Sequence, residues 1–139
     1  MKIIGFFIIS VIIISCSRSG VPDPGGGGPH VITTTDSTDP VIDIFSPMAN
    51  QVIQSGDTIK IRGRITDNGL YRGFIRITND ATNAVVREQL YEIHGFTFYN
   101  FSLDHKTFVT AVSDYTVTVQ FEDHGLNVGT RSVQVKVNP

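Results

Sequence analysis

Four histidines are the side chains of this 139-residue chain that most readily suggest a metal ion. No two of them have the two- or four-residue spacing that places a pair on one strand face or one helix face. We interpret them as surface or turn residues: His30, His94, His105 and His124. The chain has one cysteine, so a paired-cysteine metal site is excluded.

Ser102, Asp104 and His105 carry the side-chain types of a hydrolase triad. A triad is recognised by the geometry of its side chains and not by their proximity in the sequence. The chain also contains no Gly-x-Ser-x-Gly turn that would present a nucleophile. We therefore predict that the protein is not an enzyme.

Calcium is the ion that would suit the oxygen-bearing side chains of the turns, because hard cations prefer oxygen ligands. These residues are Asp57, Asp67, Asn68, Asp123 and Asn127. However, Asp and Asn also occur in turns because they hydrogen-bond the local backbone and tolerate left-handed dihedral angles. The EF-hand spacing is absent. We predict no cofactor and no metal site, and calcium binding by these turns stays an open alternative.

Glycan binding requires flat, exposed aromatic side chains, and this chain has no Trp, 4 Tyr and 9 Phe. The residues predicted to contact a ligand are Tyr71, in a turn, and Tyr91 and Tyr99, on an outward face. Further along, Phe96 and Phe98 share one strand face while the other face carries Tyr99, Phe101 and Leu103. One set must be exposed or a bulge must intervene. An exposed Phe96 and Phe98 pair would form a protein-contact patch.

The elements that position these side chains follow the period-two pattern of β-strands. In the segment 113–123, apolar residues at 115, 117, 119 and 121 alternate with polar ones. In the segment 58–66 the inward apolar row is broken by Gly63, which predicts a bulge. Further strands are predicted at Val41–Phe45, Gly73–Thr78, Val85–Ile93, Thr97–Leu103 and Arg131–Val137. About seven short strands predict an all-β, immunoglobulin-like antiparallel β-sandwich.

The order of the turn and strand motifs resembles the bacterial immunoglobulin-like repeats of surface proteins and short lipoproteins. The motifs are Pro40-Val41-Ile42, Phe45-Ser46-Pro47, Gly56-Asp57, Asp67-Asn68-Gly69-Leu70 and Asp114-Tyr115-Thr116-Val117. The sequence departs from the family in Asp123-His124-Gly125-Leu126-Asn127, where Leu126 is inserted between Gly and Asn. The resemblance implies a spacer, a stalk or a recognition module. It also places Tyr115 at a tyrosine corner, with its ring in the core and its hydroxyl on nearby backbone.

The beginning of the chain predicts where the protein is located. Lys2 precedes an apolar run from Ile3 to Ile14, which has the ~7–15-residue length of a signal-peptide core and is shorter than the ~20 residues of a spanning helix. Ile13-Ile14-Ser15-Cys16 resembles the bacterial lipobox, which implies cleavage before Cys16 and lipidation of that cysteine by a diacylglycerol and an amide-linked acyl chain. The alternatives are an ordinary secretory signal and an uncleaved anchor.

Three regions follow from this interpretation: a lipoprotein signal peptide at 1–15, a flexible Gly/Pro/Thr-rich tether at 16–39 and the sandwich domain at 40–139. Loss of the signal peptide changes the formal charge from −2 to −3, because Lys2 is its one charged residue. Without a basic stripe, a nucleic-acid partner is not expected.

The predicted location is the bacterial outer membrane, anchored through Cys16. The residues after the cysteine are Ser17-Arg18-Ser19-Gly20, and the first acid is Asp23, which favours the periplasmic face over the cell surface. We predict a non-catalytic interaction module that binds an unidentified envelope protein or glycan. The alternative is a structural spacer or assembly subunit with no ligand of its own.

Overall fold

Residues 35–139 are described by the structure, which is a computed structural model. The predicted signal peptide, Cys16 and the tether up to residue 34 lie outside the described residues. Within 35–139, no helix is long and apolar enough to cross a bilayer.

Eight strands make up the described part of the chain. They are β1 (Val41–Ser46), β2 (Gln51–Gln54), β3 (Thr58–Thr66), β4 (Leu70–Asn79), β5 (Ala84–Glu92), β6 (Phe98–Lys106), β7 (Ser113–Asp123) and β8 (Val128–Asn138). The predicted strands are all present, and β2 is additional. β2 has four residues and offers no clear alternation, so only its parallel pairing with β8 defines it.

The strands form two sheets, in the orders β1-β3-β6 and β2-β8-β7-β4-β5. All neighbouring strands are antiparallel except β2 and β8. The chain changes sheets between β1 and β2, where the Ser46-Pro47 peptide is cis and Asn50 has a φ of 59°. This arrangement is the predicted immunoglobulin-like β-sandwich.

Alternate residues of both sheets fill the space between them. The fully buried side chains include Phe101, Phe121, Ile61, Ile75, Val119 and Val137. The register of β6 is now defined: Phe101 and Leu103 are buried, whereas Phe98 is 57% exposed and Phe96 is 39% exposed. β6 pairs with β3 over nine consecutive residues without a bulge. The exposed Phe96 and Phe98 pair is therefore confirmed.

The bulge predicted at Gly63 is wrong. Gly63 pairs in register with Ile44 on one side and Phe101 on the other, and the irregularity of the β1–β3 pair lies between Ile44 and Ser46. A Cβ at position 63 would collide with the Asp43 backbone oxygen and the Phe101 ring. Glycine is required here because the chain and an aromatic ring approach its backbone closely.

The tyrosine corner predicted at Tyr115 is half right. Its ring is in the core, with 6% of the residue exposed. Among the described residues, its hydroxyl makes no hydrogen bond to the backbone. The ring therefore contributes apolar packing, and the hydroxyl is not a structural donor.

Candidate functional site

The seam between β5 and β6 is the open side of the sandwich, because each strand is the edge of its sheet there. Tyr91 crosses this seam: its hydroxyl donates a hydrogen bond to the Ser102 carbonyl at 3.2 Å. Its ring meets that of Tyr99 edge-on, with centroids 5.9 Å apart. Burial raises the pKa of the Tyr91 hydroxyl, and the nearby Tyr99 adds to the shift.

Tyr91 and Tyr99 do not lie on an outward face, as the alternation had suggested. Both are half-buried and pack against the core cluster. Tyr91 is opposite Gly73 of β4, whose backbone leaves room for the neighbouring aromatic rings. Tyr91 and Tyr99 close the seam between β5 and β6. A ligand could contact them only at the edge of that seam.

β5 is the most exposed strand of the protein. Eight of its nine residues are exposed, and Leu90 keeps 67% of its surface accessible. β5 pairs with β4 alone, so one long edge has no neighbouring strand within residues 35–139. The β4–β5 pair is irregular between Ile77 and Thr78, close to Val85 and Val86, which are also exposed. An exposed edge strand with apolar side chains is a ready surface for another chain.

A groove of about 330 Å³ lies beside β5 on the outer face of the five-stranded sheet. We call it the β5 groove. Its floor is the row formed by Tyr91, Gly73 and Phe121, which are paired in register across three strands. The side chains of this row point inward, so the outer floor is largely backbone. Its outer rim consists of Arg72, Phe74, Leu90, Glu92, Gln120 and Glu122.

The charges of the β5 groove are only partly paired. Arg72 forms an ion pair with Glu122 at 3.3 Å. Glu92 has a side chain that is 79% exposed, and its ion-pair contact is with His94 at 3.8 Å. Among the charged residues that line the groove, the two carboxylates of Glu92 and Glu122 outnumber the guanidinium of Arg72, so the lining carries a net negative charge. Phe74 adds an aromatic surface, with the Arg76 guanidinium 4.4 Å from its ring centroid.

A second cluster lies at the end of the sandwich where the N-terminal segment enters. Carboxylate oxygens of Asp36, Asp67 and Asp123 lie within 4.8 Å of one another. Asp123 is fully buried and accepts bonds from the Asn127 backbone N–H and side-chain amide, both at 2.8 Å. The Asn127 amide also donates to the Asp36 carbonyl at 3.2 Å.

Burial raises the pKa of Asp67, and the neighbouring Asp123 and Asp36 raise it further. The backbone N–H of Gly69 donates to this carboxylate at 2.9 Å and acts in the opposite direction. Three acidic groups this close could attract a hard cation. The donors that occupy Asp123 already compensate part of its charge.

The turn residues considered for calcium are thus only partly brought together. Asp67, Asp123 and Asn127 converge, whereas Asn68 is exposed beside them and Asp57 lies at the other end of β3. Asp36 was missed, because it belongs to a segment whose composition predicts a tether. No local pattern would have indicated its contact with Asn127, 91 positions away.

Tyr71 stacks with histidines from two other segments near the same end. Its ring centroid is 4.7 Å from that of His94 and 5.1 Å from that of His124, the second at an interplanar angle of 17°. The Arg72 guanidinium is 4.8 Å from the Tyr71 ring centroid. Tyr71 is therefore part of an aromatic cluster and not an isolated ligand platform.

The residues with triad side-chain types do not form a triad. Ser102 and Asp104 lie on the outer face of β6, and the intervening strand alternation turns His105 to the opposite face. Asp104 instead pairs with Arg62 at 2.6 Å, which lowers the pKa of its carboxyl. Burial and the nearby Arg87 lower the pKa of His105.

No protein-family model matches the chain, and a comparison with curated proteins gives no match. Among solved structures, an engineered protein is similar with a TM-score of 0.51 and 16% identity. The match covers 73% of this chain and 20% of that one, so this chain spans about a fifth of its length.

Two natural domains are similar at lower scores. One is a CARDB domain from Pyrococcus furiosus in complex with di-metal ions, with a TM-score of 0.42 and 12% identity over 73% of this chain and 94% of that one. The other is a PapD-like domain of human CEP192, with a TM-score of 0.35 and 14% identity over 88% and 94%. These likenesses concern the fold alone.

Proposed function

We propose that the protein is a non-catalytic interaction module, held in the bacterial cell envelope by acylated Cys16, that binds a partner protein through β5 and the β5 groove. The observation that carries this proposal is the exposure of β5. Eight of the nine residues of this edge strand are exposed, and among them Val85, Val86 and Leu90 are apolar side chains that the fold leaves unburied, with Leu90 beside a 330 Å³ groove.

A protein partner accounts for this surface better than a glycan. It includes three exposed aliphatic side chains, those of Val85, Val86 and Leu90, which offer no flat face for a sugar ring. The one aromatic ring on the groove rim, that of Phe74, has the Arg76 guanidinium over it and is only half available for stacking. The free backbone edge of β5 is a feature that proteins recognise.

The anchoring part of the proposal rests on the sequence. Diacylation of Cys16 together with an amide-linked chain would contribute about 0.8 kcal/mol per buried methylene, which makes the attachment effectively permanent. We place the domain at the periplasmic face of the outer membrane because Arg18, and no acid, follows the cysteine closely. Protease should then digest the native protein in lysed cells and leave it intact on whole cells.

Site-specific photocrosslinking tests the interaction surface. A photoreactive amino acid replaces Leu90 in one variant and Lys60, on the outer face of β3 in the other sheet, in a second. Irradiation of membranes should yield a discrete higher-mass product for position 90 and none for position 60. Absence of a product at position 90 would favour the alternative, a spacer with no ligand of its own, and equal products at both positions would contradict a defined surface.

A further inference from the structure

We infer that the partner presents an extended strand to the free edge of β5 and places a lysine or arginine side chain in the β5 groove; this inference rests on the proposed function and names the chemistry of its partner.

The unpaired backbone edge of β5 in the described part of the chain indicates that the partner segment binds as an extended β-strand. Within residues 35–139 β5 pairs with β4 alone, so the backbone N–H and C=O groups along its other edge have no strand partner there. Only another strand can bond such a row at its natural spacing. One local bond must be exchanged, because the Gln89 side-chain amide donates to the Leu90 carbonyl at 3.0 Å. An incoming strand replaces it with a backbone donor.

The charge of the groove determines the sign of the side chain that enters it. Arg72 lies between Glu122, its ion-pair partner at 3.3 Å, and its cross-strand neighbour Glu92, so one guanidinium faces two carboxylates and the groove lining has a net negative charge. A cation that enters beside Glu92 gains a charge-assisted hydrogen bond, whereas an anion meets two carboxylates. The partner residue is therefore basic.

The apolar rim determines that this basic residue has a long stem. Phe74 and Leu90 are cross-strand neighbours on the outer face and flank the groove. Lysine and arginine cover apolar surface with their methylene groups while the charged head reaches a polar partner. The Phe74 ring holds the Arg76 guanidinium at 4.4 Å, so this rim already accommodates one cation against an aromatic ring.

Selection from a random dodecapeptide library tests this inference on the folded chain. The expected result is enrichment of peptides that carry a lysine or arginine between alternating apolar residues. Their binding should fall about three- to tenfold when the basic residue is changed to glutamine or when the protein carries Glu92→Gln. Leu90→Lys should abolish binding, and Val52→Lys, on the exposed face of the other edge strand β2, should preserve it.

Four outcomes would overturn the inference. Enriched peptides without a basic residue would support the addition of a partner strand to β5 and refute the basic side chain in the groove. Binding that survives Leu90→Lys, or no enrichment at all, would refute the strand-addition surface. Dimerisation of the purified chain that Leu90→Lys prevents would assign the edge to a second copy. The photocrosslinking above is independent of peptide binding, so a product at position 90 with a failed selection would reject this inference and keep the proposed function.

Discussion

The Tyr91 hydroxyl donates a hydrogen bond to the Ser102 carbonyl at 3.2 Å, and this bond joins the two sheets at their open seam. Its acceptor is a backbone carbonyl of the edge strand β6. Proteins protect edge strands because free backbone groups recruit other chains. Tyr91 therefore helps to block the β6 edge, while the β5 edge keeps no such cover within the described residues.

Tyr91→Phe should destabilise the domain by about 0.5–1.5 kcal/mol, the usual net contribution of one hydrogen bond. The ring contacts with Tyr99 and Phe121 are retained, so the change isolates the hydroxyl. Tyr115→Phe is the matched control, since that hydroxyl has no backbone partner in the described part of the chain. Urea denaturation of both variants measures the difference, and an equal midpoint for Tyr91→Phe and wild type would refute the role of the bond.

The alternation of apolar and polar side chains was enough to predict the sandwich and most of its strands, because in a strand with one buried face every second residue is apolar. It could not predict β2, whose four residues are defined by their pairing with β8. The register of β6 stayed ambiguous from sequence, since Phe96 and Phe98 on one face are as apolar as Phe101 and Leu103 on the other.

The candidate surfaces were less accessible to sequence analysis. The β5 groove combines side chains of three strands, and Arg72 lies 50 positions from its partner Glu122. The one local signal was Gly73, a glycine inside a strand, which indicates close approach of neighbouring groups. Asp67 and Asp123 of the acidic cluster were named from the sequence as candidate calcium ligands. Asp36 was not, because its segment has no apolar periodicity that would place it near the domain.

Asp67→Asn should raise the melting temperature at pH 7. Burial and the carboxylates of Asp123 and Asp36 raise the pKa of Asp67, so the fold favours its protonated form and ionisation opposes folding. Asparagine keeps an acceptor for the Gly69 N–H and removes the charge. Thermal melts measure the effect, with Asp39→Asn as an exposed control.

The same substitution should change the dependence of stability on pH. The stabilising contribution of Asp67 is complete below its unfolded pKa of 3.8 and is lost as the pH rises through the higher folded pKa. The advantage of Asp67→Asn should therefore be largest at neutral pH and shrink on acidification toward pH 3.8. An advantage that is constant with pH would contradict this explanation.

Excess calcium should leave the melting temperature unchanged. Both oxygens of Asp123 accept hydrogen bonds from Asn127, and a cation would have to displace those donors from a fully buried group. Melts in calcium and then in chelator test this. A saturable rise that Asp67→Asn removes would instead establish a cation site at the cluster.

Cys16→Ala should release the protein from the membrane or leave an unprocessed precursor, because Cys16 is the proposed site of lipidation. Metabolic labelling with a fatty-acid probe, followed by membrane fractionation, measures both effects. Ser17→Ala keeps the cysteine and is the neighbouring control. A Cys16→Ala variant that still incorporates the probe would refute acylation at this residue.

The size of the complex formed by the native protein in solubilised envelopes tests the central claim most directly. If β5 and its groove form the interaction surface, the wild type should migrate in a complex larger than the processed monomer, whose polypeptide is the 15.3 kDa chain without residues 1–15. Leu90→Lys should shift it to the size of the free protein, and Val52→Lys should not. A complex that both variants retain, or a wild type that migrates alone, would contradict the assignment of this surface.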